Sequence, residues 1–282
     1  MKSSHLRITA LQPNIKVDEF NNNLEQYQNL FTEFSTTFKI TDAICFPEYW
    51  NGMRKGSYTE TMQNLSLDFL KEVAIQFSSW VIGGSHLVKD KDSYFNRAHI
   101  FDPLGHLIGT YDKRHPFGYE QLQEITPGEK DFIWQISDWK ASIQICSDLW
   151  NVNDYSSLIN KNFDIVFSPI LTTIPDRSFT NYGRFMWHNL AIIRGKEAAA
   201  AIIVSDTAMQ AIRDPYWCAG ATCIVDPSYR FTNDEPIGKN ILSSIPDGSM
   251  GVVSVPLDLD KIRLQRQYRK DMGLLFMEKD VE

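Results

Sequence analysis

Residues Ser142–Trp150 read SIQICSDLW: a short apolar run that stops on a cysteine, with polar residues following at once. A structural thiol would sit comfortably among the isoleucines. A thiol at the end of a strand faces whatever lies above the sheet, where loops carry chemistry on a rigid frame. If Ser142–Cys146 is a strand and Ser147-Asp148-Leu149 opens a helix, the stretch is a strand–turn–helix unit, and the chain is of the α/β class.

The flanking sequence repeats that alternation. Strands are expected at Leu6–Gln12, Ala43–Phe46, Trp80–Gly83, Ile165–Ser168, Ala200–Ser205, Thr222–Val225 and Val252–Pro256. Arg97–Asp102 and Leu107–Tyr111 form a hairpin around Pro103-Leu104-Gly105, which are turn formers. Between Asp18 and Phe34, apolar residues recur at three- and four-residue spacing (Phe20, Leu24, Tyr27, Leu30, Phe31, Phe34), which predicts a helix. Leu65–Phe77, Phe185–Ala199 and the charged Leu257–Arg269 are read as helices too. No repeat, low-complexity tract or linker divides the chain, so one layered domain over 1–282 is expected.

Composition narrows the function classes. The 282 residues are 43% hydrophobic with 12% aromatics, enough for a sizeable core and inconsistent with disorder. A net charge of -7 argues against a nucleic-acid partner. No apolar run approaches the ~20 residues of a membrane span, and MKSSHLRITALQP carries no secretory pattern. The cysteines Cys45, Cys146, Cys218 and Cys223 make no disulfide scaffold. A reducing, cytoplasmic setting is therefore expected. The histidines are scattered and Cys218-x4-Cys223 alone makes no zinc site, so neither metal nor other cofactor is expected.

Three reactive side chains follow apolar strands: Glu48 after AICFP, Lys113 after HLIGTYD, and Cys146 after SIQI. Taken singly each has an ordinary reading, as a solvated loop glutamate, a surface lysine and an inert thiol. Together they are a chemically complete set. A free thiol is only about 3% thiolate at pH 7, so a neighbouring carboxylate serves as base while sulfur attacks a carbonyl carbon. An ammonium beside that carbon, with a backbone N–H just past the cysteine, stabilises the oxyanion. The N–H groups of a helix starting at Ser147 would favour thiolate and oxyanion alike.

The segments carrying these residues resemble the nitrilase superfamily of carbon–nitrogen hydrolases along nearly the whole chain. CFPEYW (Cys45–Trp50), GTYDKRHPF (Gly109–Phe117) and IQICSDLW (Ile143–Trp150) are similar to the segments around that family's Glu, Lys and Cys. VIGGSHL, YFNRAHIFDPLGHLIG, WHNLAIIRGKEAAAAIIVSD, AGATCIVDP and VPLDLDKIR match in the family's order. The resemblance implies a four-layer αββα sandwich that commonly dimerises, a thioester at Cys146, Glu48 as general base and acid, and Lys113 as oxyanion stabiliser. It also implies a second glutamate within GYEQLQEITPG, where Glu120 is preferred to Glu124.

The implied substrate is a small-molecule amide, and the nearest branch is ω-amidase-like. That branch usually reads Cys-Tyr-Asp-Leu-Arg, whereas this chain has Ser147 and Trp150 at the variable positions. A substrate carboxylate would then need Arg54, Arg114 or Arg177. Ser147, Trp150 and Tyr182 are taken as substrate-contacting, Trp150 as an apolar wall. CSDLW also resembles the glutaminase domains of NAD synthetases, so a freestanding glutaminase, an N-carbamoyl amino acid hydrolase and a non-catalytic binding protein on the same scaffold are the alternatives. Asp148 is read as a buttress of the cysteine turn, and Arg194 and Glu197 as a pair on one helix face.

Overall fold

The computed structural model describes residues 4–209, 212–213, 216–228 and 242–275. Six strands form most of a first sheet: β1 (His5–Gln12), β2 (Ala43–Cys45), β3 (Trp80–Ile82), β4 (His86–Asp90), β5 (Ser93–Phe101) and β6 (Leu107–Asp112). A second sheet follows from β7 (Ile133–Ile136), β8 (Trp139–Ile143), β9 (Ile165–Pro169), β10 (Ala201–Ser205), β11 (Cys223–Val225) and β12 (Leu242–Ser244). The last strand, β13 (Gly251–Asp258), returns to the first sheet and pairs antiparallel with β1 from His5↔Asp258 to Gln12↔Gly251.

Side-chain alternation along these strands makes the layers. Ile8, Ala10, Cys45, Ile82, Ala98 and Ile100 point inward and meet Trp139, Ala141, Ile143, Ile165, Phe167 and Ile203 of the second sheet. Their neighbours in sequence point outward. Leu11, Ile44, Phe46 and Val81 pack under helices α1 (Phe20–Glu33) and α2 (Glu60–Phe77). Val166, Ile202, Val204 and Val225 pack under α3 (Val152–Ile159) and α4 (Thr180–Ala198). The result is an αββα sandwich, with the charged helix α5 (Leu259–Asp271) after it.

Strand direction places the site. β1, β2 and β3 run parallel, β5 runs against β3, and β6 runs against β5. The carboxyl ends of β2 and β6 and the amino end of β5 therefore share one edge. In the second sheet β8, β9 and β10 are parallel, so their carboxyl ends share an edge too.

The structure adds elements that apolar pattern does not reveal. β4 ends in the exposed Lys89 and Asp90, and β7 is four residues long. The first helix starts at Phe20 rather than Asp18, because Asp18 adopts φ 60°. α2 begins five residues before Leu65, capped by Thr59, whose side chain accepts the Met62 N–H. α5 starts after Asp258, which caps it in the same way.

Candidate active site

Glu48 leaves β2 through Pro47 on a tight turn. Its N–H donates to Ile170 O, while Ser85 N–H donates to Pro47 O. Gly84, at φ 56°, lies directly beneath: a Cβ there would sit 2.0 Å from Pro47 O. That close approach explains the second glycine of VIGGSHL. Lys113 is the first residue past β6. Its N–H donates to Asn96 O, and its O accepts from Gly128 N–H.

Cys146 sits past β8, its N–H donating to Pro169 O of β9 at 2.9 Å. It adopts φ 49°, a region non-glycine residues rarely enter, and a one-turn helix, Ser147–Trp150, follows. Arg194 of α4 holds the end of that turn, donating from Nε to Leu149 O, and pairs with Glu197 at 2.7 Å. Beneath the turn, the buried Asp148 accepts from Tyr111 Oη, from the N–H groups of Arg114 and His115, and from Ile145 N–H. One carboxylate thus ties the lysine segment to the cysteine segment.

Four ionisable side chains converge. Lys113 Nζ lies 2.7 Å from Glu48 Oε1 and 2.6 Å from Glu120 Oε2. All three side chains are buried. Asn96 Nδ2 donates to Glu48 Oε1 at 2.8 Å and to Glu120 Oε1 at 2.7 Å, and Tyr49 Oη donates to Glu120 Oε1 at 2.9 Å. Phe117 N–H completes the set at Glu120 Oε2. The Cys146 thiol shares the cavity wall with the Glu48 carboxylate and with Leu171. Glu48, Lys113, Glu120 and Cys146 line one cavity of about 500 Å³, together with apolar side chains such as Met53, Leu87, Phe117 and Ile125, and with Arg54 and Lys55.

Burial sets the electrostatics. It raises Glu48 above the usual carboxylate range, against the pull of the Lys113 ammonium and with the push of Glu120. Burial alone would lower Lys113, but Glu48, Cys146 and Glu120 outweigh it and hold the ammonium above its ordinary value. Cys146 is pushed well up, first by burial and then by the Glu48 carboxylate, against Lys113 and the Leu171 N–H. This corrects the expectation of a thiolate favoured by a helix start. The helix is a single turn, and desolvation wins.

Glu120 is the glutamate that meets Lys113; Glu124, at φ 54°, is not among the cavity-lining residues. Neither are the three residues read as substrate contacts. Ser147 Oγ donates to His115 O. Trp150 is 41% exposed and packs edge-on against Trp187. Tyr182 is 62% exposed on α4. Of the three arginines considered, Arg54 lines the cavity, Arg114 is held by Asp131 and Asp154, and Arg177 lies over the Trp217 ring.

Sequence reasoning missed Asn96, Tyr49 and the Leu171 N–H. A signal for Asn96 exists: it shares strand parity with the buried Ala98 and Ile100, a polar residue on a core face. Nothing local marks Leu171, because its contribution is backbone. Among the described residues, no group of three or more His, Cys, Asp or Glu is placed to hold a metal ion. No described helix is long and apolar enough to cross a membrane.

Comparison with known proteins gives one consistent family. The carbon-nitrogen hydrolase model matches residues 7–267. Among curated proteins, the probable hydrolase YhcX of Bacillus subtilis (strain 168) is 22% identical over 177 residues, 59% of this chain and 34% of that protein. The 2-oxoglutaramate amidase of Paenarthrobacter nicotinovorans is 29% identical over 123 residues, 38% of this chain and 42% of that one. The chain thus spans well under half the length of these relatives. Among solved structures, Saccharomyces cerevisiae Nit3, a member of branch 10 of the nitrilase superfamily, superposes with a TM-score of 0.78 at 18% identity, covering 98% of this chain and 97% of that one.

Proposed function

The chain belongs to the carbon-nitrogen hydrolase family, and from that premise we propose that it is an amidase, cleaving a small-molecule amide through a thioester at Cys146. The observation that carries this reading is the Lys113 ammonium seated 2.7 Å and 2.6 Å from two buried glutamates in the cavity that Cys146 also lines.

In this reading Glu48 is the base. Both of its amide and ammonium donors land on Oε1, so Oε2 is the oxygen available to a proton. It takes the Cys146 proton as sulfur attacks the amide carbon, and the C=O pair moves onto oxygen. The Lys113 ammonium, with a backbone N–H, stabilises that oxyanion; one such donor is typically worth ~3–4 kcal/mol of barrier. The protonated Glu48 then gives its proton to the leaving nitrogen, and ammonia departs. Water attacks the thioester with Glu48 again as base, which releases the acid and restores the thiol. Because the Cys146 thiol is raised and partly buried, proton transfer accompanies attack; no standing thiolate is required. Glu120, with donors on both oxygens, holds Lys113 in place.

Ammonia release from a panel of small amides tests the proposal, with intact mass of the protein trapped on substrate. An acyl adduct on Cys146 is expected. Full turnover by Cys146→Ala would end the reading.

A second reading has one observation in its favour. Arg54 lines the cavity, and a guanidinium there suits an acid-bearing substrate such as a carbamoyl amino acid or glutamine. Matched neutral and acid-bearing amides separate the two. We also propose a homodimer in a reducing cytoplasm. The exposed Tyr182, Phe185 and Ile193 on α4 support association, and sedimentation of the wild-type chain against Phe185→Glu tests it.

A further inference from the structure

Two carboxylates that share one ammonium pose a problem of charge. Glu48 and Glu120 both contact Lys113, and both are buried. The Glu120 carboxylate adds to the burial that pushes Glu48 toward uptake of a proton. A protonated Glu48 could not receive a proton from Cys146.

Asn96 stands between them. Its Nδ2 donates one N–H to Glu48 Oε1 at 2.8 Å and the other to Glu120 Oε1 at 2.7 Å. The orientation is fixed, because a reversed amide would set its oxygen against two carboxylates. Its side chain is fully buried, and its backbone oxygen accepts the Lys113 N–H at 2.9 Å. Among the described residues Asn96 Oδ1 has no hydrogen-bond partner, so this amide is held by what it donates. A neutral donor that reaches both anions lowers their mutual repulsion without adding a second cation.

We propose that Asn96 is a positioning residue that bridges Glu48 and Glu120 and holds them apart, so that Glu48 rests as a base. This deepens the reading of Glu48 as the group that accepts the Cys146 proton, and rests on it. The amide's two carboxylate partners are met by groups from four elements: Tyr49 beside Glu48 after β2, Lys113 after β6, the turn Tyr119–Leu122 that carries Glu120, and Cys146 after β8, which shares the cavity with both.

The test uses iodoacetamide as probe, with the rate of Cys146 alkylation followed by mass spectrometry across pH 5 to 9.5. Wild type should show an acid limb set by Glu48. Asn96→Ala should move that limb up by roughly one pH unit, slowing alkylation up to roughly tenfold on the acid side of the limb and recovering toward the wild-type rate at high pH. A purely structural role would slow the reaction equally at every pH. Asn96→Asp, which adds a third carboxylate, should move the limb further. If Asn96→Ala does not fold by circular dichroism, Asn96→Ser, with one hydroxyl donor, carries the same readout with a smaller shift. Glu48→Gln is the control. If it keeps the wild-type limb, Glu48 is not the base and the underlying reading fails. If it loses the limb while the Asn96 variants track wild type, this proposal alone is overturned.

Discussion

The two sheets contribute unlike halves to one cavity. From the first sheet come Glu48, Asn96, Lys113 and Glu120, a buried network whose charged groups are already bonded to one another. From the second comes a single sulfur, on a residue at positive φ that packs between the two apolar cores. One half is ordered before any substrate arrives, so its dipoles need no reorganisation during reaction. The other half is anchored through its backbone, the Cys146 N–H donating to Pro169 O of β9. The bonded network and the sulfur thus come from different sheets.

That contrast is broken most directly by exchanging what each half loses. Cys146→Ala should lower amide turnover by roughly 10⁴-fold or more. It should leave the melting temperature near that of wild type, because the sulfur holds little together. Lys113→Ala should behave differently. It leaves two buried carboxylates without their cation, and removing one partner of a buried pair costs about 3–5 kcal/mol. Thermal melts and ammonia release on the two variants side by side check this. If Cys146→Ala unfolds as readily as Lys113→Ala, the separation of roles is wrong.

A smaller difference lies within the first-sheet half. Glu48 uses Oε1 for its amide and ammonium donors, whereas Glu120 has donors on both oxygens. Glu48→Gln should cost turnover about 10²–10⁴-fold, the usual worth of a general base, and Glu120→Gln markedly less. Since burial raises Glu48, wild-type turnover should fall off on the acid side at a pH above the ordinary glutamate value of about 4.3. Equal losses in the two variants would mean that the bonding asymmetry has no functional counterpart.

Legibility in the sequence follows the same division. The segments that carry Glu48, Lys113 and Cys146 are short runs punctuated at Pro47, Asp112 and Cys146, and such punctuation is visible in one dimension, although the strand before Cys146 stops at Ile143. The αββα layering was implied by family resemblance, and the inward and outward parities of β1, β2 and β9 account for it physically. What sequence could not give was direction. Trp150 follows the reactive cysteine closely, yet the one-turn helix carries it toward Trp187 and solvent. Asn96 lies far from every other site residue in sequence, and reaches them because β5 runs against β3 and β6. The Cys146 environment was misjudged for a related reason: a local rule about helix starts ignored the desolvation that only packing reveals.

The smallest expected effect concerns the seam where the halves meet. His115, from the lysine segment, places Nδ1 2.9 Å from Asp148 and Nε2 3.1 Å from Asp154, both from the cysteine segment. Its hydrogen bond to Asp148 leads the causes that raise it above the usual histidine value. A raised histidine binds its proton more tightly in the folded chain, so its stabilising contribution is complete below the unfolded value of about 6.5 and fades as pH rises through the folded one. The ring is 35% exposed, so solvent screens the effect and the contribution stays small. His115→Gln should therefore lower the melting temperature more at pH 5.5 than at pH 8.5. A gap that stays constant across that range would mean the imidazolium adds nothing at the seam, and that the neutral Nδ1–H bond to Asp148, together with the backbone N–H groups of Arg114 and His115, is what joins the two halves.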